Sequence, residues 1–220
     1  MSVSELARRI DHTLLRPEAT ADDICRLCGE ARELGVAAVC VNGSRAGLAS
    51  RELRGSGIAV CAVVGFPFGA SATAGKAAEA LDAIASGASE IDMVANLGAL
   101  FDGDDEAVRA DIAAVRHVIG DRGILKVIIE SAALSDEQIV RVCEIAVDAG
   151  AEFVKTSTGY HPAGGATAEA VSLMRAAVGE RAQVKASSGI RTRSDAEAML
   201  AAGADRLGTS RTMQILRGEG

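Results

Sequence analysis

The sequence has no tryptophan, one tyrosine and four phenylalanines in 220 residues. With a net charge of −7 and 19 scattered arginines as well, it offers neither a stacking platform nor a basic face for nucleic acid. No run approaches the 18 or more apolar residues of a membrane span, and the opening residues MSVSELARRID lack the apolar core of a signal peptide. We therefore expect a cytoplasmic protein that binds neither nucleic acid nor a membrane.

Cysteine is also sparse, and its spacing is not that of a metal site. The five cysteines are odd in number and have no second CxxC motif or paired histidines beside them; they are Cys25, Cys28, Cys40, Cys61 and Cys143. Cys25 and Cys28 share one face of an amphipathic stretch, which indicates core packing. A chain of this length buries roughly 70% of its unfolded surface without a structural metal. We predict no metal and no cofactor.

The chain carries no low-complexity segment or linker, so residues 1–220 are predicted to form a single domain. Short apolar runs alternate with Ala-rich stretches of helical period, which is the pattern of βα units. Seven runs predict strands directly, and an eighth, at 10–13, rests on the repeat count. The seven runs are 36–41, 58–64, 90–94, 124–129, 153–156, 183–186 and 206–208.

The intervening helices have recognisable start and stop signals. A short opening helix is predicted at about 4–9, and the others at 21–34, 44–54, 72–86, 104–119, 136–149, 167–178, 194–202 and 210–216. Ser135, Thr167 and Ser194 are predicted N-caps. Glycines that each precede a strand are predicted to close helices in the left-handed conformation, at Gly35, Gly87, Gly150 and Gly203.

Eight βα units with strands apolar on both faces favour a parallel sheet covered by helices. The leading architecture is a (β/α)8 TIM barrel with a short extra N-terminal helix, forming one catalytic domain. A doubly wound open sheet is the alternative, although it usually has fewer strands and a Gly-rich first turn, and the turn LLRPEAT here has no glycine.

Polar residues inside apolar strands are the strongest functional signal, because barrel chemistry gathers at the C-terminal ends of strands. These residues are Asp92, Lys126, Lys155 and Lys185, and three of the four lysines of the chain are among them. The structural interpretation is that each lysine pairs with a carboxylate or reaches out of its strand. For Lys126, which lies earlier in its strand, a structural ion pair and a functional role stay equally open.

Two amines and a carboxylate at one barrel mouth suit imine chemistry. At a pKa of about 10.4 only about 0.04% of a lysine is neutral at pH 7, and the neutral form is the nucleophile. Two ammoniums about 4 Å apart at an effective dielectric of about 20 repel by about 4 kcal/mol, which with partial burial supplies most of the roughly 4 kcal/mol needed to bring the pKa to about 7.5. Lys155 and Lys185 lie on consecutive predicted strands. We therefore expect one of these two lysines to be activated by the other, with Asp92 moving protons.

The turns after the last two predicted strands are suited to binding an anionic group of a ligand. Gly189 in ASSGIR and the segment Gly208-Thr209-Ser210 each lead into a helix, where this fold usually holds a phosphate; each turn alone is as consistent with a plain turn. After the third strand, Gly65-Phe66-Pro67 and Gly69 form a restricted loop that is expected to shape the mouth of the barrel.

Taken together, these segments resemble the deoxyribose-phosphate aldolase family over nearly the whole chain. The resemblance runs through IDHTLLRPEAT, VAAVCVN, VVGFPFGA, GASEIDMVANLGAL, LKVIIE, GAEFVKTSTGY, VKASSGIR and GTSR, in family order. It implies a class I lyase that cleaves 2-deoxy-D-ribose 5-phosphate to acetaldehyde and D-glyceraldehyde 3-phosphate. In this resemblance Lys155 forms the Schiff base, Lys185 tunes it and Asp92 relays protons.

The resemblance also implies substrate contacts and an assembly. Asp11 and Thr13 match positions near the substrate, and the phosphate-facing turns match Gly159, Ser188, Gly189, Thr209 and Ser210. Many relatives have paired glycines where this chain has Ser188-Gly189. Small phosphosugars and aldehydes are the expected partners, and a homo-oligomer, dimer or tetramer, is common among relatives.

Two other functions are compatible with the same residues. A barrel aldolase for keto acids would use the same lysine on a carboxylate-bearing substrate. A sugar-phosphate binding protein without turnover would use the lysines only as salt-bridge partners. Cleavage rates on deoxyribose phosphate and on keto acids distinguish these possibilities.

Overall fold

The structure is a computed structural model that describes residues 1–218. Eight parallel strands pair in chain order and close into a barrel, with the last strand hydrogen-bonded to the first. The strands are β1 (Ile10–Leu14), β2 (Ala38–Asn42), β3 (Ala59–Val64), β4 (Glu90–Val94), β5 (Ile124–Ile128), β6 (Phe153–Lys155), β7 (Gln183–Ser187) and β8 (Arg206–Thr209). The predicted barrel is confirmed, and so is its weakest predicted strand, β1.

Helices follow the strands around the outside of the barrel. They are α1 (Val3–Ala7), α2 (Ala21–Leu34), α3 (Gly43–Glu52), α4 (Thr73–Ala85), α5 (Leu97–Asp102), α6 (Asp105–Ile119), α7 (Asp136–Asp148), α8 (Ala168–Val178), α9 (Arg193–Ala201) and α10 (Thr212–Arg217). Two single 3-10 turns occur at Gly120–Arg122 and Ser131–Ala133. Within the described residues, none of these helices combines the length and apolar character needed to cross a bilayer.

The short extra N-terminal helix is present as α1, two residues shorter at its end than predicted. Its N-cap Ser2 forms a capping box with Glu5, which satisfies the first free amides of the helix. Leu6 and Ala7 are buried, and α1 lies beside α10. The helix therefore covers the region next to the junction of β8 and β1.

Most predicted helix ends agree with the structure. Ser135 and Thr167 cap α7 and α8 as expected, and Gly35 closes α2 in the left-handed conformation. The predicted cap Ser194 is wrong, because Thr192 caps α9 through a capping box with Asp195. The sequence TRSD places a threonine three residues before the aspartate, which is the spacing that a capping box requires.

The barrel separates two kinds of core. Between strands and helices lies one continuous apolar core, which includes Ile91, Met93, Val127 and Val184. Inside the barrel the apolar part is small and lies on β2 and β3, where Ala38, Cys40, Cys61 and Val63 pack together. The rest of the interior is charged along β1 and β4 to β8, with the buried Phe153 ring beside Lys126 and Arg206. Such burial of charge requires paired partners.

Candidate active site

A cluster of seven ionisable side chains fills the middle of the barrel. It contains four cations and three carboxylates, which we call the charged cluster: Lys126, Lys155, Lys185, Arg206, Asp11, Glu90 and Asp92. All except Arg206 are almost completely buried. Strand register explains the arrangement, because Asp92 pairs with Lys126 on the neighbouring strand and Lys155 pairs with Lys185. Residues paired in adjacent parallel strands present their side chains to the same face.

Asp92 is the centre of this cluster. Its Oδ2 atom accepts hydrogen bonds from the ammoniums of Lys155 and Lys185, both at 2.7 Å. The two nitrogens are therefore separated by at most twice that distance. The other carboxylate oxygen, Oδ1, accepts from Lys126 at 2.9 Å and from the Cys61 thiol at 3.0 Å. The structure thus brings together the three residues that the sequence analysis places at the reaction centre.

The two aspartates of the cluster, Asp92 and Asp11, are held ionised. Burial alone would raise the pKa of Asp92, but the three neighbouring lysines outweigh burial and hold the pKa well below its usual value. Asp11 behaves similarly: burial opposes ionisation, yet Lys185, Lys126 and Arg206 lower its pKa to about 2. The repulsion expected between the ammoniums of Lys155 and Lys185 is therefore offset by a carboxylate that they share.

Lys185 is fixed more firmly than Lys155. Its ammonium donates to Asp11 as well as to Asp92. Burial alone would lower the pKa of Lys185, but these two carboxylates outweigh it and raise the pKa above the usual value. Gly208 on β8 leaves the room that this side chain occupies, since a Cβ at that position would lie 3.1 Å from the Lys185 Cε atom and 3.0 Å from the Ser187 Cβ atom.

Lys126 lies in an ion-pair network below the reaction centre. Its ammonium is 2.5 Å from Glu90, 2.9 Å from Asp92 and 3.9 Å from Asp11. Burial alone would lower the pKa of Lys126, but the surrounding acidic groups, Asp92 first, raise it well above the usual value. These contacts are those of a structural ion pair, one of the two roles left open for this residue.

Lys155 connects the charged cluster to an open cavity at the C-terminal ends of the strands. Of the four lysines, all within residues 1–218, Lys155 alone lines this cavity, which has a volume of about 460 Å³. We call it the mouth cavity. Residues at the C-terminal ends of β1, β6, β7 and β8 and in the loops after them form its walls, and they include Thr13, Gly159, Ser188, Gly189, Thr209 and Ser210. The C-terminal end of the barrel is where enzymes of this fold place their active sites.

Some predicted substrate residues are engaged with the protein itself. Asp11 is fully buried beneath the mouth cavity and is bound to Lys185 and Arg206. The Thr13 hydroxyl donates to the backbone of Asp11, and the Thr209 hydroxyl donates to the carbonyl of Ile190. The side chains of Thr13 and Thr209 therefore brace the strand ends from which the cavity wall is built.

Ser188 has a left-handed backbone conformation, with φ of 69°. Gly165 lies so close that a Cβ there would contact the Ser188 carbonyl oxygen at 2.7 Å, and the Ala166 amide donates to that oxygen at 3.1 Å. The β6 loop thus supports the β7 turn. A non-glycine residue at positive φ carries strain that is typical of functional turns.

Sequence reasoning missed several charged residues of the site. Glu90 and Arg206 complete the charged cluster, but a glutamate or arginine at a strand end is equally typical of a solvated surface. Three arginines line the mouth cavity and were not singled out: Arg16, Arg191 and Arg211. For Arg191 and Arg211 the available signal is their position directly after the turns predicted to bind an anion, whereas Arg16 follows β1 and had no such signal.

Among residues 1–218, two groups of side chains bring their possible ligand atoms close enough together to hold a metal ion. They are Cys40, Cys61 and Asp92, and Asp11, Cys61 and Glu90, with their ligand atoms within 4.8 Å of one another. The carboxylates in both groups already bind lysine ammoniums, and burial raises the pKa of the Cys61 thiol well above its usual value. A neutral thiol at Cys61, which belongs to both groups, suits a cation poorly beside these ammoniums.

A closed (β/α)8 barrel with a lysine amine at the base of a cavity over the strand ends has the architecture of a barrel lyase of the aldolase class. The DeoC/LacD family aldolase model matches residues 6–212 of the sequence. The chain belongs to this family of aldolases.

Similar proteins cover nearly the whole chain. A deoxyribose-phosphate aldolase of Mycolicibacterium paratuberculosis is 57% identical over 221 residues, which is 99% of this chain and 98% of the relative. One from Kocuria rhizophila is 55% identical over 215 residues, 98% of this chain and 97% of the relative. Among solved structures, a tetrameric deoxyribose phosphate aldolase from Aeropyrum pernix superposes with a TM-score of 0.91 at 33% identity, covering 98% of this chain and 91% of that one.

Proposed function

We infer that the chain is a class I aldolase that reversibly cleaves 2-deoxy-D-ribose 5-phosphate to acetaldehyde and D-glyceraldehyde 3-phosphate, with Lys155 as the Schiff-base lysine. The family and the close relatives support the reaction. For the role of Lys155, the observation that carries the proposal is its position: it is bound to Asp92 on one side and faces the mouth cavity on the other.

The charge count of the cluster favours Lys155 as the amine that becomes neutral. Four cations face three carboxylates, so loss of one proton leaves the cluster without net charge. Within the described residues, Lys155 contacts a single carboxylate, Asp92, while Lys126 and Lys185 each contact at least two. Deprotonation of Lys155 therefore sacrifices the least ion pairing, and only a neutral amine attacks a carbonyl.

The reaction then proceeds through an imine. The Lys155 amine adds to the aldehyde of the open-chain sugar, and loss of water gives the iminium. The bond between the carbon next to the iminium and the hydroxyl-bearing carbon breaks, and its electrons form an enamine. The hydroxyl loses its proton as glyceraldehyde 3-phosphate leaves, the enamine carbon gains a proton, and water releases acetaldehyde. Each step moves a proton at the position of Asp92.

Asp92 and Lys185 supply a path for those protons. Asp92 touches both amines through one oxygen, so a proton released at Lys155 is already hydrogen-bonded to the relay. Because one Asp92 oxygen contacts both ammoniums, we assign Asp92 as the group that orients Lys155 and relays its protons, and we assign Lys185 as the second amine on that relay, whose positive charge stabilises negative charge developing on the substrate.

The cavity wall supports an anionic substrate. The turns at Ser188-Gly189 and Thr209-Ser210 lie on one side of the mouth cavity, together with Arg191 and Arg211. Arginine guanidiniums and backbone amides at such turns are the usual partners of a phosphate. We assign this side of the cavity to the 5-phosphate, with Gly159 beside it.

The experiment that tests the function measures acetaldehyde release from deoxyribose 5-phosphate by the purified protein, alongside cleavage of a set of keto-acid aldol substrates. We expect turnover of deoxyribose 5-phosphate and none of the keto acids. Faster cleavage of a keto acid would identify the other kind of imine-forming aldolase. Tight binding of deoxyribose 5-phosphate without acetaldehyde release would identify a binding protein and contradict the proposal.

We also propose that the chain is a single catalytic domain located in the cytoplasm, and that it forms a homo-oligomer. Its five free cysteines suit a reducing compartment. The Aeropyrum pernix relative is tetrameric, which supports a dimer or tetramer here. Light scattering of the purified chain, with monomer as the contradicting result, tests the assembly.

A further inference from the structure

A hydrogen bond crosses the mouth of the barrel between loops that follow distant strands. Tyr160 lies after β6, and its hydroxyl donates to the carbonyl of Leu15, after β1, at 3.1 Å. In the ring of strands, β7 and β8 separate β6 from β1. The hydrogen bond therefore bridges the part of the barrel mouth formed by β6, β7, β8 and β1. The mouth cavity lies in this part of the mouth.

A third loop joins this contact from the other side. The Phe66 ring, from the loop after β3, meets the Tyr160 ring edge to face, with centroids 5.3 Å apart and planes at 86°. Aromatic pairs in this geometry are worth about 0.5–1.5 kcal/mol beyond the area that they bury. Leu15, Phe66 and Tyr160 together form what we call the mouth wall.

The mouth wall is held in place on both sides. The Tyr160 amide donates to the Thr158 hydroxyl at 3.1 Å, and that hydroxyl donates in turn to the buried Glu130. On the other side, the Gly65 amide donates to Glu79 at 2.7 Å, which fixes the start of the Phe66 loop. The wall is thus built from anchored loops.

The spaces on the two sides of the wall differ in charge. The mouth cavity is lined by Arg16, Arg191 and Arg211. On the far side, a second cavity of about 260 Å³ opens over the ends of β2 and β3, with Phe66 in its lining and with Glu79 and Asp82 as its charged residues. An anionic substrate is therefore favoured on one side of the wall and repelled on the other.

We propose that Tyr160 is a specificity-determining residue, whose ring, with Phe66 and Leu15, limits the length of the acceptor aldehyde and confines it to the arginine side of the mouth. This inference rests on the proposed aldolase function. Loss of the Tyr160 ring enlarges the mouth cavity toward Phe66, which lines the second cavity, so a longer uncharged aldehyde gains room that D-glyceraldehyde 3-phosphate does not use.

The test runs the reaction in the direction of synthesis, with acetaldehyde as donor and either D-glyceraldehyde 3-phosphate or hexanal as acceptor. For each variant the measured quantity is the ratio of kcat/KM for hexanal to kcat/KM for D-glyceraldehyde 3-phosphate. The variants are Tyr160→Ala, Tyr160→Leu and Tyr160→Phe. The matched control is Phe68→Ala, in the same loop as Phe66, because the Phe68 side chain is 76% exposed and is not part of the wall.

We expect Tyr160→Ala to raise the ratio at least about tenfold, since space for a few methylenes changes kcat/KM by factors of this size. Tyr160→Leu raises the ratio as well, and it replaces Tyr160→Ala in the test if the alanine variant does not fold. Tyr160→Phe keeps the ring and changes the ratio less, and Phe68→Ala leaves it unchanged. An unchanged ratio in both Tyr160→Ala and Tyr160→Leu, in proteins that still cleave deoxyribose 5-phosphate, overturns the proposal. Absence of cleavage by the unmodified protein instead contradicts the proposed function.

Discussion

At the scale of single residues, burial distinguishes the lysines of this chain from its arginines. All four lysines are at most 3% exposed, which is rare for this residue type. Three of them belong to the charged cluster. The fourth, Lys76 on α4, lies outside the barrel wall, where it donates to Asp111 at 2.6 Å and to the Val94 carbonyl at 2.9 Å. The sequence analysis named the three lysines in strands as functional candidates. It gave Lys76 no role, because a lysine on a helix normally reaches solvent.

Replacement of Lys76 by methionine is expected to destabilise the protein by about 3–5 kcal/mol. The reason is that the Asp111 carboxylate, 1% exposed, loses the cation that compensates its charge. Urea unfolding measures the change. The double variant Lys76→Met with Asp111→Leu removes both charges and is expected to recover most of the loss. A change below about 1 kcal/mol in the single variant contradicts this account.

Ser188 provides a second prediction at this scale. If its hydroxyl helps to bind the 5-phosphate, Ser188→Ala raises KM for deoxyribose 5-phosphate roughly tenfold with little change in kcat, as expected for loss of a hydrogen bond to a charged group. Deoxyribose without phosphate serves as the control substrate and keeps its KM. Equal changes for the two sugars would place the hydroxyl away from the phosphate.

At the scale of helices and strands, most elements were predictable from the sequence, and the helix α5 was not. The bounds of α2 and β4 agree with the sequence prediction residue for residue. The six-residue α5, which begins after the cap Asn96, was missed because it is too short to show a helical period and contains Gly98. It occupies the connection between β4, which carries Asp92, and α6.

The start of α9 gives a matched test of helix capping. Thr192→Ala is expected to reduce the free energy of unfolding by about 1 kcal/mol, because the hydroxyl accepts from the Asp195 amide at 3.1 Å. Ser194→Ala, two residues further along and inside the helix, is expected to change stability by less than about 0.5 kcal/mol. Thermal or urea unfolding of both variants measures the two changes. A larger loss of stability in Ser194→Ala than in Thr192→Ala would contradict the assignment of Thr192 as the cap.

At the scale of the whole molecule, closure of the barrel is what assembles the site. Lys185 on β7 meets Asp11 on β1 and Asp92 on β4, partners that are 174 and 93 residues away in sequence. The repeat of βα units predicted the closed sheet, and register then placed Lys155 beside Lys185. The full ion-pair network was not predictable, because the inward face of each strand end depends on packing across the barrel.

The buried carboxylates make the stability of the molecule depend on pH. The pKa of Asp11 is about 2 in the fold against a usual 3.8, and that of Asp92 is also lowered. A lowered folded-state pKa contributes stability that is fully present above the unfolded value and is lost as pH falls toward the folded value. For Asp11 this amounts to roughly 2–3 kcal/mol.

We therefore expect the free energy of unfolding, measured with urea at a series of pH values, to decrease steadily from about pH 4 down to about pH 2. The decrease reflects proton uptake by the unfolded chain at carboxylates that stay ionised in the fold. A free energy of unfolding that is flat through this range would show that Asp11 and Asp92 are not paired with the lysines as described.

The measurement that tests the central claim most directly is borohydride trapping of acetaldehyde on the unmodified protein, followed by peptide mass analysis. Reduction of the imine adds one ethyl group, and we predict it on Lys155, with no adduct on Lys126 or Lys185. In Lys155→Arg, whose guanidinium does not deprotonate, both the adduct and the turnover are expected to vanish while the fold is kept. An ethyl group on another lysine, or none on a protein that cleaves deoxyribose 5-phosphate, would contradict the assignment of Lys155.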